Sequence, residues 1–175
     1  MIVEAILGAA LLTAIASKKG SKKTDMQEIT YDSKTHKSFL NEKNLPRGVR
    51  NNNIGNITKT NINWMGKIKN GTDAHFEQFI SIPFGIRALI KNIRTEISRG
   101  KTLKEFTYRY APPSENNTAA YLNALENATG MKPDDKLKDD KALIKALVFA
   151  IGVKENGKNY TDNTDFEQGY ELSKY

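Results

Sequence analysis

The segment VFAIGVKENGKNY, residues 148–160, closes an apolar stretch with one carboxylate, Glu155, directly before Asn156 and Gly157. A glutamate at the end of a helix sits beside unpaired backbone carbonyls. Their partial negative charge and partial burial both penalise the ionised form, so its pKa is expected to rise. A carboxylic acid that keeps its proton near neutral pH is what a glycosidic oxygen requires from a general acid as the leaving sugar departs. The adjacent Lys154 would oppose that shift if its ammonium faced the carboxylate, and would not if it pointed into solvent. Read without that chemistry, Glu155 is an exposed surface residue at a helix end.

A second unusual stretch is RGVRNNNIGNI, residues 47–57, with Asn51, Asn52, Asn53 and Asn56 around Gly55. Side-chain amides both donate and accept hydrogen bonds. They can build a tight loop, or they can line a groove for a ligand rich in hydroxyls and acetamides, such as a glycan. Other chemistries are poorly provided for. There is no cysteine, hence no disulfide framework, thiolate nucleophile or cysteine zinc site. The two histidines, His36 and His75, lie far apart, which argues against a histidine metal centre or a Ser-His-Asp triad. No glycine-rich phosphate loop or internal repeat occurs, and no metal or organic cofactor is implied.

The elements that position these residues follow from apolar spacing. At 175 residues with 38% hydrophobic content, the chain supports one domain plus tails. Residues 1–17 contain an apolar run followed by Lys18, Lys19, Lys22 and Lys23; the run reads as a membrane-anchor or interfacial helix gripping anionic headgroups. Residues 18–44 read as a basic polar linker and 45–175 as the compact domain. Within it, Asn70-Gly71 predicts the turn of a small β-hairpin, with Ile68 before it and Phe76 and Phe79 after it. Pro83 opens a helix to Arg99 with Ile86, Leu89, Ile90, Ile93 and Ile97 on its buried stripe, ended by Gly100. Thr102 and Glu105 form a capping box for a short helix. Further helices run to Gly130, through Tyr121 and Leu125, and from about Asp140 to Gly157, with Ile144, Leu147, Val148 and Ile151 inward. The expected class is α+β, mainly α.

The net charge of +7, from 27 basic against 20 acidic residues, suits a polyanionic partner: nucleic acid, anionic lipid or an acidic wall polymer. The basic residues are mainly lysines rather than arginine forks, so sequence-specific nucleic-acid recognition is weakly supported.

Taken in order, RGVRNNNIGNI, NWMGKI, FEQFISIPFGIRALIKNI, RYAPPSENNTAAYLNAL and KENGKNY resemble a family of phage virion-associated proteins with a lysozyme-like, peptidoglycan-degrading domain. The likeness covers nearly all of residues 47–160. More widely, NNNIGNI, WMG and FEQFIS resemble later parts of lytic transglycosylases and bacterial glucosaminidases, and AIGVKENG resembles their catalytic helix. That helix comes last here, the order a circular permutation would give.

The resemblance implies a lysozyme-like domain in which Glu155 is catalytic. Asn51, Asn52, Asn53 and Asn56 would shape the floor of a glycan cleft. Tyr110, Ser114, Glu115, Asn116 and Thr118 would form another wall, with Tyr121 behind it. A single Glu suits a lytic transglycosylase, and a second carboxylate from Glu77, Glu115 or Asp162 would suit hydrolysis. The implied partners are peptidoglycan glycan strands, a viral or host membrane through residues 2–17, and other virion proteins, with action in the host cell envelope. The alternative is a non-catalytic, membrane-associated virion protein that keeps the lysozyme-like shape and binds wall polymer or membrane.

Overall fold

The strongest apolar stripe in the sequence becomes the central helix. In the computed structural model, which describes residues 36–175, helix α2 spans Ile82–Ser98, and Ile82, Ile86, Leu89, Ile90 and Ile93 are fully buried. Pro83 sits in its first turn, where a missing N–H costs nothing, and Gly100 follows its C-cap with φ +68°. Each buried aliphatic side chain contributes about 1.5–3 kcal/mol. Ile97 is only half-buried, and Glu96 is buried beside it.

The other helices are α1 (Arg47–Arg50), α3 (Leu103–Tyr110), α4 (Thr118–Thr129), α5 (Lys141–Asn156) and α6 (Asn163–Leu172); α5 packs on α2, α1 and α4 pack on α5, and α3 packs on α4. The expected capping box opens α3, with the Glu105 N–H on Thr102 Oγ1 at 3.2 Å and the Thr102 N–H on Glu105 Oε2 at 3.0 Å. Helix α5 is capped by Asp140, buries Ile144, Leu147, Val148 and Ile151, and stops at Gly157, whose φ is +81°. It packs against α4 and α2.

Helix α6, which apolar spacing does not reveal, lies along α2. Asp162 and Asp165 cap it reciprocally, Phe166 is fully buried, and Gly169 permits close approach: a Cβ there would stand 2.5 Å from Ile86 Cγ2. Arg87 of α2 closes the far end, donating to the carbonyls of Leu172 at 3.1 Å and Tyr175 at 2.9 Å.

Two expectations need correction. The anticipated β-hairpin is reduced to two isolated antiparallel bridges, Thr58 with Phe76 and Lys67 with Phe79, although the chain does turn at Lys69 and Asn70. The physical reason is competition for backbone groups. The Phe79 N–H donates to the Asn51 carbonyl at 3.0 Å, and the Phe79 carbonyl accepts from Asn52 Nδ2 at 2.9 Å, so the asparagine loop takes the partners a longer ladder would need.

Second, the compact unit begins at Lys37 rather than Leu45. The stretch read as the end of the linker is bonded into the domain: the Ile82 N–H donates to the Lys37 carbonyl at 2.9 Å, and Lys37 Nζ lies 3.1 Å from Asp165 Oδ2. The apolar run at 2–17 and the earlier linker lie outside the described residues. Among the described residues no helix is long and apolar enough to cross a membrane.

Candidate functional site

Helix α5 ends by delivering Glu155 and Asn156 to the asparagine loop. Asn156 Nδ2 donates to the Ile54 carbonyl at 2.8 Å and to the Gly152 carbonyl at 2.9 Å, binding the last turn of the helix to the loop. Ile54 is buried, and its Cδ1 would stand 3.5 Å from a Cβ at Gly152. Glu155, one residue before the helix end and half-buried, is thereby held against the same loop.

Two donors reach its carboxylate. Asn56 Nδ2 lies 2.8 Å from Oε2 and the Tyr121 hydroxyl 3.0 Å from Oε1. The tyrosine comes from α4, so the carboxylate is fixed by a loop and a helix distant from it in sequence. Lys154, the possible antagonist, carries its ammonium 5.6 Å from the centre of the Tyr121 ring and makes no ion pair with Glu155 among the described residues. Tyr110 stacks near Tyr121, with ring centres 6.2 Å apart, and its hydroxyl donates to the Gly55 carbonyl. Burial pushes both phenols well above their ordinary pKa, and the charge of Glu155 adds to this; both therefore remain neutral.

Glu155 and Asn56 open into a cleft of about 620 Å³. Its lining combines the aromatic groups Trp64, Phe76, Phe106 and Tyr110 with hydroxyls and amides, including Thr58 and Asn116. Apolar faces beside a few polar groups are what a small-ligand site offers, and this volume lies within the usual range of about 300–1,000 Å³. The Trp64 indole N–H is buried without an acceptor, leaving a donor to spare.

The residues singled out from the sequence divide between cleft and framework. Glu155, Asn56, Tyr110, Glu115 and Asn116 line the cleft, and Tyr121 supports Glu155 from α4. Asn51, Asn52 and Asn53 do not line it. They are buried and committed to the framework: Asn51 donates to Asp73 and accepts from Gln78, Asn52 joins Ser38, Phe39 and Phe79, and Asn53 holds Ile57 and Glu77. Three consecutive side chains on a turn point in different directions: Asn51 meets the Asp73 and Gln78 side chains, while Asn52 and Asn53 meet backbone that would otherwise be unpaired. Asn52 and Asn56 adopt positive φ, 51° and 47°, a conformation asparagine tolerates.

Thr118 is also structural, its hydroxyl donating to the Ala111 carbonyl at 2.6 Å, and Ser114 is exposed outside the cleft lining. Of the possible second carboxylates, Glu77 is buried in an ion pair with Lys67 at 2.9 Å, and Asp162 caps α6. Neither lines the cleft, whereas Glu115 does. Sequence reasoning missed Glu96, a buried cleft residue. Its signal was available, because it follows Leu89 and Ile93 at helical spacing and so falls on the apolar stripe.

Another framework feature holds the loop's shape. Arg47 grips Asp73 with two hydrogen bonds of 2.7 Å, and its guanidinium stacks 4.7 Å from the centre of the Phe76 ring. That guanidinium first, then the N–H groups of Phe76 and His75 and the Asn51 amide, hold the Asp73 carboxyl far below the usual carboxylate range against the opposing effect of burial.

This chain belongs to a family of bacteriophage proteins. It is similar to Protein P5 of Pseudoalteromonas phage PM2, with 33% identity over 134 residues that cover 74% of this chain and 82% of the relative. No protein-family model matches the chain.

Proposed function

We propose that this chain is a virion-associated enzyme that cleaves the glycan strand of host peptidoglycan during infection, with Glu155 as its acid–base residue. The observation that carries this reading is the half-buried Glu155 carboxylate, gripped by Asn56 and Tyr121 at the edge of an aromatic and amide-lined cleft. Kinship with a phage protein supports the virion setting. A net charge of +7 favours an anionic wall or membrane, and residues 2–17 would hold the enzyme at a viral or host membrane.

The chemistry follows from what surrounds Glu155. As acid it gives its proton to the glycosidic oxygen while the bond to the anomeric carbon breaks; the sugar's own hydroxyl then attacks that carbon and returns its proton to Glu155. The residue must therefore be accommodated both with and without its proton. Tyr121 can donate to the carboxylate or accept from the acid. Asn56 Nδ2 faces the carboxylate, while Asn56 Oδ1 and Asn156 Oδ1 are buried without donors and approach the same point above Gly48. Turning the Asn56 amide over would offer its oxygen to protonated Glu155 and its NH₂ to the side of Asn156 Oδ1. With Glu77 and Asp162 engaged outside the cleft, hydrolysis would have to recruit the exposed Glu115, whereas the one-Glu transglycosylase route needs only Glu155.

The test is to incubate the full chain with purified sacculi and identify released muropeptides by mass spectrometry. Anhydro-muramic ends are expected. Reducing ends would reassign the chemistry to hydrolysis, and binding without release would favour a non-catalytic virion protein.

A further inference from the structure

A second group of ionisable side chains lines the same cleft. Glu96 comes from the last turn of α2, Arg99 from its C-cap and Arg109 from α3. The Glu96 side chain is only 8% exposed; its Oε1 faces Arg109 Nε at 3.2 Å and also takes Arg99 Nη1. Its Oε2 is buried and accepts no hydrogen bond. The two arginines are 46% and 63% exposed.

A purely structural strut between α2 and α3 accounts for little of this. It would explain one arginine on one oxygen, but not a second arginine sharing that oxygen, nor a carboxylate oxygen left buried and unpaired. Each guanidinium has five N–H donors; Arg99 gives one to Glu96 while Arg109 meets the same oxygen only as an ion pair, so the trio carries a net positive charge and many unused donors. It therefore offers two partly exposed forks shaped for carboxylate, held by a buried counter-charge. A ligand that matches both forks carries a carboxylate, which a peptide supplies and a neutral sugar does not.

We propose that Glu96, Arg99 and Arg109 form a subsite for a carboxylate-bearing peptide carried by the sugar polymer, so that the cleft prefers peptide-substituted glycan to bare glycan. This rests on the glycan-cleft reading above and narrows its substrate class.

The test uses binding, which is independent of turnover. Full-length protein carrying Glu155→Gln is titrated calorimetrically with a muramoyl disaccharide bearing its tetrapeptide and with the same disaccharide whose peptide is replaced by an uncharged methylamide. The peptide-bearing ligand is expected to bind about tenfold more tightly, the scale of one charge-assisted hydrogen bond, with the preference shrinking at high salt. Adding Arg109→Gln, or Arg99→Gln if the first variant fails to fold, should bring the ratio of the two affinities close to one. Equal binding of both ligands overturns the subsite and leaves the glycan cleft intact. A preference that survives both arginine variants overturns the assignment to this trio. Failure of both ligands to bind removes the subsite and the glycan reading together.

Discussion

Asn56 donates to Glu155 across 99 residues of sequence, at 2.8 Å, and this contact joins the asparagine loop to the end of α5. It separates Asn56 from its neighbours Asn51, Asn52 and Asn53, which spend their amides on the framework. In an acid–base role for Glu155, the amide fixes the carboxylate's orientation. Asn56→Ala is therefore expected to lower kcat for peptidoglycan cleavage by about 10–100-fold, the loss typical of a positioning or preorganised polar group. The Asn51→Ala, Asn52→Ala and Asn53→Ala variants should instead lose stability, by about 1–3 kcal/mol each, as the Gln78 and Asp73 side chains or buried backbone groups are orphaned. Comparing turnover with denaturant midpoints for the four variants distinguishes these roles.

Tyr121→Phe removes the second donor to Glu155 but keeps the buried ring. A fall in kcat of about tenfold, with an unchanged circular dichroism spectrum, is expected for loss of one hydrogen bond to a charged group. The two raised phenols also set a pH dependence. Because burial keeps Tyr110 and Tyr121 protonated in the fold, while unfolded tyrosine ionises near pH 10, their contribution to stability is present below pH 10 and is lost as pH rises above it. Ultraviolet titration of the seven tyrosines should leave these two silent until the protein unfolds.

Asp73 gives the opposite dependence. Its depressed pKa means that its stabilisation is present above the ordinary aspartate pKa and is lost as pH falls below about 4. The side chain is buried but Arg47 is partly exposed, so Asp73→Asn is expected to cost about 2 kcal/mol at neutral pH, discounted for solvent screening. Thermal unfolding followed from neutral to acid pH should show the wild type and variant converging at low pH. A constant gap would remove Asp73 from the acid response.

Gly48 tests the packing of α1 against the site. A Cβ there would stand 2.6 Å from both Asn156 Oδ1 and Asn56 Oδ1 and 2.9 Å from the Asn53 carbonyl. Gly48→Ala should therefore destabilise by about 1–3 kcal/mol and should depress turnover further, because the strain falls on the amide that holds Glu155. Chemical denaturation and sacculus cleavage, measured on the same preparation, check both effects.

Local rules made α2, α3, α4 and α5 legible, because each carries its own periodicity, cap or terminal glycine. Helix α6 escaped because it is short and polar, and its stability comes from Phe166 and Gly169 packing into the core rather than from a visible apolar stripe. The β element was overstated because a turn signal does not say where the flanking backbone finds its partners; here the asparagine loop supplies many of them. Glu155 stood out by its place at a helix end, but its contacts with Asn56 and Tyr121 depend on tertiary folding. The asparagine run was conspicuous in composition, yet which amide faced the cleft depended on φ angles and side-chain directions that sequence spacing does not fix.

The most direct measurement compares muropeptide release from sacculi by the full-length wild type and its Glu155→Gln variant at equal, verified folding. The wild type is expected to liberate anhydro-ended fragments and the variant to fall to background while still binding the polymer, if Glu155 is the acid–base residue. Undiminished release by Glu155→Gln, or none by either protein, would contradict it.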